Sequence, residues 1–186
     1  MDVVTFTRMA EGTKADYELL ARLEDVFNES LPDRLLQAVD RLKYSLSGYQ
    51  VSRYEHSLQS ASRAYRNGES EELVVAALLH DIGDDLAPYT HGEMAAAILK
   101  PFMSEKTCWV VQHHGVFQMY YYAHHLRGDR HARDRYRDHP YYQATLDFCE
   151  KYDQNCFDPN YESLPIEFFE PMVRRIFAKP VNLTYT

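Results

Sequence analysis

The stretch Ser70–Asp85, SEELVVAALLHDIGDD, decides the fold class. Leu73, Ala76 and Ala77 recur at i, i+3 and i+4 and His80 continues that face at i+7, which predicts a helix from Glu71 to His80 with His80 turned inward. Ser70 supplies a capping oxygen, and Glu71 and Glu72 stand beside the positive end of the helix. The adjacent pair His80-Asp81 closes the apolar run.

Outward from this helix the period stays helical. Thr90-His91-Gly92-Glu93 has the spacing of a capping box ahead of MAAAILK, which puts His91 at the first helical position. Glu105 to His113 reads as another helix, with Gly115 as a left-handed stop and His114 at its end beside a loop. Asp138 and Pro140 mark a further start, carrying Leu146, Cys149 and Asp153 on one face. Before the central helix, Thr13 caps Lys14 to Phe27, and Leu31-Pro32 opens a helix through Leu35, Leu36, Val39 and Leu42. Leu164 to Ala178 supplies a late helix in spite of Pro165 and Pro171. No alternating strand of useful length, no repeat and no Pro-, Gly- or Ser-rich linker interrupts the pattern, so the expected fold class is an all-α bundle.

A chain of 186 residues fits one domain with a sizeable core. Hydrophobic residues make up 45% and glycine only 7 positions, a globular composition. The net charge of −8 argues against nucleic-acid partners and anionic membranes, because phosphate backbones are held by surplus Lys and Arg. No long apolar run and no leader-like start appears, so the expected location is cytoplasmic. Cys108, Cys149 and Cys156 lack a CxxC spacing and read as reduced packing residues.

Six donors stand out in order: His56, His80, Asp81, His91, His114 and Asp153. An aspartate beside a histidine can bridge two metal ions while the other side chains close each shell, an arrangement suited to chemistry on oxygen or phosphate. Imidazole with carboxylate is a hard-to-borderline set that suits Fe, Mn, Co or Zn. His113 rivals His114, because neighbouring helical side chains diverge by about 100° and only one can face the metals.

His56 in YEHSLQSA, His80-Asp81 in AALLHDIGDD, His91 in HGEMAAAIL, His114 in VVQHHGVF and Asp153 in EKYDQ together resemble the HD-domain superfamily. The resemblance implies an all-α HD-domain helical bundle over 1–186, with a core at about 50–155 and helical additions at both ends. It implies that Asp81 bridges two metals, one completed by His56, His80 and Asp153 and the other by His91 and His114. His114-Gly115-Val116-Phe117 and Phe148 to Asp153 are similar to the oxygenase branch, which includes myo-inositol oxygenase and a phosphonate dioxygenase. That branch implies a mixed-valent Fe(II)/Fe(III) pair which binds a substrate oxygen at one iron and activates O₂ at the other. A small hydroxylated or amine-bearing substrate, an organophosphonate among the candidates, is expected with O₂. The alternative is a phosphohydrolase using Mn, Co or Zn.

The chain departs from the family at two places. Asp84, followed by Asp85, stands where a Lys or His often touches substrate. Asp84 and Asp85 read most simply as a solvated loop or a cap for the next segment; the sharper alternative is that Asp84 binds a cationic substrate group, with Tyr120, Tyr121 and Tyr122 as aromatic faces. Where the family's phosphonate dioxygenase carries a Tyr and Glu lid, this chain reads Leu46-Ser47-Gly48-Tyr49-Gln50, leaving Tyr44, Tyr49 or Tyr54 as lid candidates. Between Arg127 and Asp138 lie five arginines and three aspartates. A salt-bridged exposed face is the plain expectation there, with Arg130 or Arg133 as candidate clamps for an anionic substrate group.

Overall fold

The computed structural model describes residues 2–179 and 181; residues 1, 180 and 182–186 of the expected single-domain span lie outside the described residues. Short polar side chains set half of the helix starts. Thr13 and Asp16 close a reciprocal capping box at α1 (Lys14–Glu29), as Ser52 and Glu55 do at α3 (Arg53–Arg66). Pro32 in the first turn opens α2 (Leu31–Arg41), and Ser70 and Ser104 cap α4 (Glu71–Leu79) and α6 (Glu105–Tyr122). The remaining helices are α5 (His91–Leu99), α7 (Tyr142–Phe148) and α8 (Ile166–Phe177). Among the described residues there is no strand, and no helix is long and apolar enough to cross a membrane. The molecule is an all-α bundle.

At the end of α3, Gly68 takes φ +75°, and Glu69 N–H donates to the Ala64 carbonyl while Gly68 N–H donates to Tyr65. This left-handed stop turns the chain back so that α4 packs along α3. Residues Val74 to Leu79 are buried on every side, so α4 is the central helix rather than an amphipathic one, and Leu73 at its edge is only half-buried. Each of its fully buried Val and Leu side chains contributes on the order of 1.5–3 kcal/mol. The core draws on α2 to α8; α1 adds no apolar residue to it. Cys149 and Cys156 are buried, Cys108 is half-buried, and all three thiols are free.

Four local expectations are corrected. Thr90 precedes α5 as expected but sits at ψ 30°, outside the extended geometry a cap needs, and its side chain makes no capping hydrogen bond. Gly115 does not stop α6, which runs seven residues further to Tyr122 and buries Phe117; Gly115 lacks a positive φ, so nothing ends the helix there. The helix expected from Asp138 begins at Tyr142, since Ala132–Tyr136 forms a 3₁₀ turn first. A π turn at Cys149–Asp153 then adds a residue to the repeat, so Phe148, Cys149, Tyr152 and Asp153 are buried while Leu146 is only half-buried. Finally, α8 starts after Leu164 and Pro165, and Pro171 lies on its solvent face, where water can reach the carbonyl it leaves free.

Candidate metal centre

Five elements bring the six donors together. His56 faces inward from the first turn of α3, His80 ends α4, Asp81 follows in the turn, His91 begins α5, His114 sits in mid α6 and Asp153 ends the π turn. Asp81 stands between two imidazole pairs. Its Oδ2 lies 3.3 Å from His56 Nε2 and 3.2 Å from His80 Nε2, and its Oδ1 lies 3.5 Å from His91 Nε2 and 3.3 Å from His114 Nε2. Within each pair the Nε2 atoms are 3.1 Å apart. Asp153 Oδ1 joins the first pair, 3.3 Å from His56 and 3.8 Å from His80.

Two glycines permit this closeness. A Cβ on Gly83 would meet the His91 carbonyl oxygen at 2.7 Å, and one on Gly92 would meet the Val111 carbonyl oxygen at 2.9 Å. The Gly of HDIG is therefore a packing requirement: it lets the start of α5 lie against the Asp81 turn.

The donor set fits metal ions. His56, His80 and His114 each direct Nδ1 at a backbone carbonyl, of Cys156 at 3.1 Å, Ala77 at 2.7 Å and Val111 at 2.6 Å. A carbonyl only accepts, so Nδ1 carries a proton and Nε2 is the atom that each ring can turn to a metal. Lone pairs 3.1 Å apart repel unless a cation lies between them. Edges of this length match ligand bonds of about 2.0–2.2 Å. Oδ1 of Asp81 and Oδ2 of Asp153 are buried without a hydrogen-bond partner.

The electrostatics favour positive charge. Burial opposes ionisation of Asp81, but Arg53 and His80 hold its carboxyl well below the usual range. Burial likewise opposes protonation of His80, yet Asp81 and Asp153 raise it to about 10. Arg53, one helical turn before His56, places Nη2 2.6 Å from Asp81 Oδ2 and donates through Nε to Asp84 at 2.7 Å. Arg53 belongs to no motif and was not read from the sequence.

A cavity of about 700 Å³ opens from the centre, lined by Arg53, Asp84, Asp85, Gln118, Tyr121 and Tyr122 among others. Asp84 lines it as expected, but Arg53 already neutralises its charge, which corrects its reading as the free anion for a substrate cation. Tyr120, Arg130 and Arg133 do not line the cavity: both guanidinium groups lie over the Tyr120 ring, away from the metals. Of the lid candidates only Tyr49 reaches the cavity. It stacks on Phe157 at 4.7 Å, and Phe157 stacks on His56 at 4.5 Å. Tyr44 is 86% exposed and Tyr54 packs under Lys43, so neither covers the mouth. His113 turns away from the centre and stacks on Trp109 at 4.0 Å. Gln118, whose Oε1 is buried without a donor, went unread because an isolated amide has no sequence signature.

Comparison with known proteins follows the same residues. A family model described as HD domain matches residues 53–149, from Arg53 to just short of Asp153. Over 84 aligned residues the chain is 36% identical to a [1-hydroxy-2-(trimethylamino)ethyl]phosphonate dioxygenase (glycine-betaine-forming) of Leisingera caerulea. The match covers 39% of this chain and spans 43% of that protein's length.

Proposed function

The chain belongs to the HD-domain family, and from that premise we propose that it is a dinuclear oxygenase which oxidatively cleaves a small polar molecule bearing a hydroxyl or amine. The observation that carries the dinuclear reading is the division of Asp81, whose two oxygens each face a separate imidazole pair. His56, His80 and Asp153 are the proposed ligands of one metal, His91 and His114 of the other, and Asp81 of both. The choice of oxidative cleavage, with an organophosphonate as the favoured substrate, rests on the partial likeness to a phosphonate dioxygenase.

Two irons as a mixed-valent Fe(II)/Fe(III) pair supply a Lewis acid for a substrate oxygen and electrons for O₂. The protein supplies the rest. Arg53, engaged through Nη2 with Asp81 and through Nε with Asp84, fixes both carboxylates at the cavity floor. Gln118 Oε1 accepts a hydrogen bond from a substrate hydroxyl or ammonium, which answers its buried, unpartnered state. Asp85, which lines the exposed mouth, takes over the cation-facing role once expected of Asp84. Tyr49, Tyr121 and Tyr122 wall off water around the reacting carbon.

One observation favours a second reading, a phosphohydrolase: Arg53 beside an all-nitrogen-and-oxygen donor set suits a phosphoryl group as well as a phosphonate. Metal analysis and low-temperature EPR of anaerobically purified, partly reduced protein, followed by O₂ uptake with candidate phosphonates, separate the two. About two irons per chain, a coupled mixed-valent signal altered by substrate and O₂ consumption are expected. Phosphate-ester turnover with Mn or Co in the absence of O₂ would overturn the oxygenase reading.

A further inference from the structure

We propose that Arg130 and Arg133, gathered on the Tyr120 ring, form a second binding site outside the metal cavity, for the phosphoryl or phosphonyl group of a small soluble molecule. The guanidinium carbons lie 4.2 and 3.6 Å from one ring centroid, which bounds their separation at 7.8 Å. One tetrahedral oxyanion can bridge that span with contacts of about 2.8 Å on either side.

Three observations point to a missing anion. Among the described residues neither arginine has a carboxylate within ion-pair distance, although the chain holds 28 acidic residues. Two of the three aspartates of the same segment are engaged elsewhere: Asp134 pairs with Arg137 at 3.0 Å and accepts from the Tyr142 hydroxyl, and Asp129 accepts from the His131 backbone. The expected salt-bridged face therefore leaves this pair out. Second, Nε of both arginines is buried without an acceptor, a state that a bound oxyanion would relieve. Third, the His131 imidazole packs edge-on against Tyr120 and adds an N–H donor beside the same ring.

Two like charges held at one aromatic ring are attracted to the ring and repelled by each other, and a bound anion relieves that repulsion. The net charge of −8 disfavours a polyanion such as nucleic acid or an anionic bilayer, which leaves a small ligand. The site is separate from the metal cavity but shares a wall with it: burial raises the pKa of the Tyr121 hydroxyl, Arg133 counteracts that rise, and Tyr121 lines the cavity.

The test is calorimetric titration of inorganic phosphate into the metal-loaded protein, with Arg130→Gln, Arg133→Gln and the double variant alongside. Each single change should weaken one class of phosphate site at least tenfold, and the double variant should lose that class, at unchanged metal content. Arg133→Lys, which keeps the charge and loses the fork, should fall between. The ¹⁵Nε resonances of both arginines in the wild-type protein should shift as phosphate is added, a readout that needs no variant to fold. Unmoved Nε resonances, or phosphate affinity and stoichiometry that survive in the double variant, would overturn the proposal.

Discussion

Gly92 lies against Val111 so closely that a Cβ would stand 2.9 Å from the Val111 carbonyl oxygen, and this contact sets the 3.1 Å separation of the His91 and His114 Nε2 atoms. Gly92→Ala should push α5 from α6, cost about 1–3 kcal/mol of stability and reduce bound metal toward one ion per chain. Gly115→Ala is the control. Its Cβ would meet His91 ring atoms at an ordinary 3.9 Å, so metal content should stay as in the wild type, and stability should hold or rise by up to about 1 kcal/mol of helix propensity. Metal analysis with thermal melting checks both.

His113 and His114 are neighbours in sequence and opposites in space. His114 is 3% exposed and faces Asp81, while His113 stacks on Trp109. His114→Ala should weaken one metal at least tenfold, because a direct ligand matters at least as much as the outer partners that orient one. His113→Ala should keep both metals and lose about 0.5–1.5 kcal/mol of aromatic packing. Competitive chelator titration of the two variants distinguishes them, and equal metal loss would sink the assignment.

Phe148 is 1% exposed and meets the His80 ring edge-on at 5.6 Å. Phe148→Ala should cost about 3–5 kcal/mol, read by chemical denaturation. The same change frees His80 to rotate, so metal affinity should fall although no ligand is removed.

Asp16 ties the N-terminal segment to α1. Its carboxylate accepts from Thr13 and Thr5, and these bonds lower its pKa from 3.8 to about 2. The folded state therefore releases this proton more readily than the unfolded chain. The stabilisation is complete above the unfolded pKa near 4 and fades as pH falls toward 2. The difference in melting temperature between wild type and Asp16→Asn should accordingly be full at pH 6 and shrink below pH 4. A constant difference across that range would refute the linkage.

The helical class and the His80-Asp81 pair were readable from local pattern, an apolar period through Leu73, Ala76, Ala77 and His80 with Ser70 as cap, and the family resemblance supplied the other donors, with His113 and His114 still rivals. The cavity wall was not. Asp84 sits next to the pair in sequence and looked like a free anion, yet Arg53, 31 residues earlier, neutralises it. Tyr120 and Tyr121 are adjacent and differ by about 100° of helical rotation, which turns one to the arginines and the other to the cavity. Gly115 carries the residue type of a helix stop without the backbone angle, because the apolar run beyond it finds a core to bury in.

Sequence by itself determined the all-α class, the order of the donors and the inward face of His80, since these follow from periodicities of a few residues. Only the tertiary structure decided which charges compensate one another and which side chains share a wall. Arg53 with Asp81, Phe157 with His56, and Arg133 with Tyr120 are contacts between separate segments. Such contacts depend on how closely helices approach, which Gly83 and Gly92 set here and no local pattern encodes.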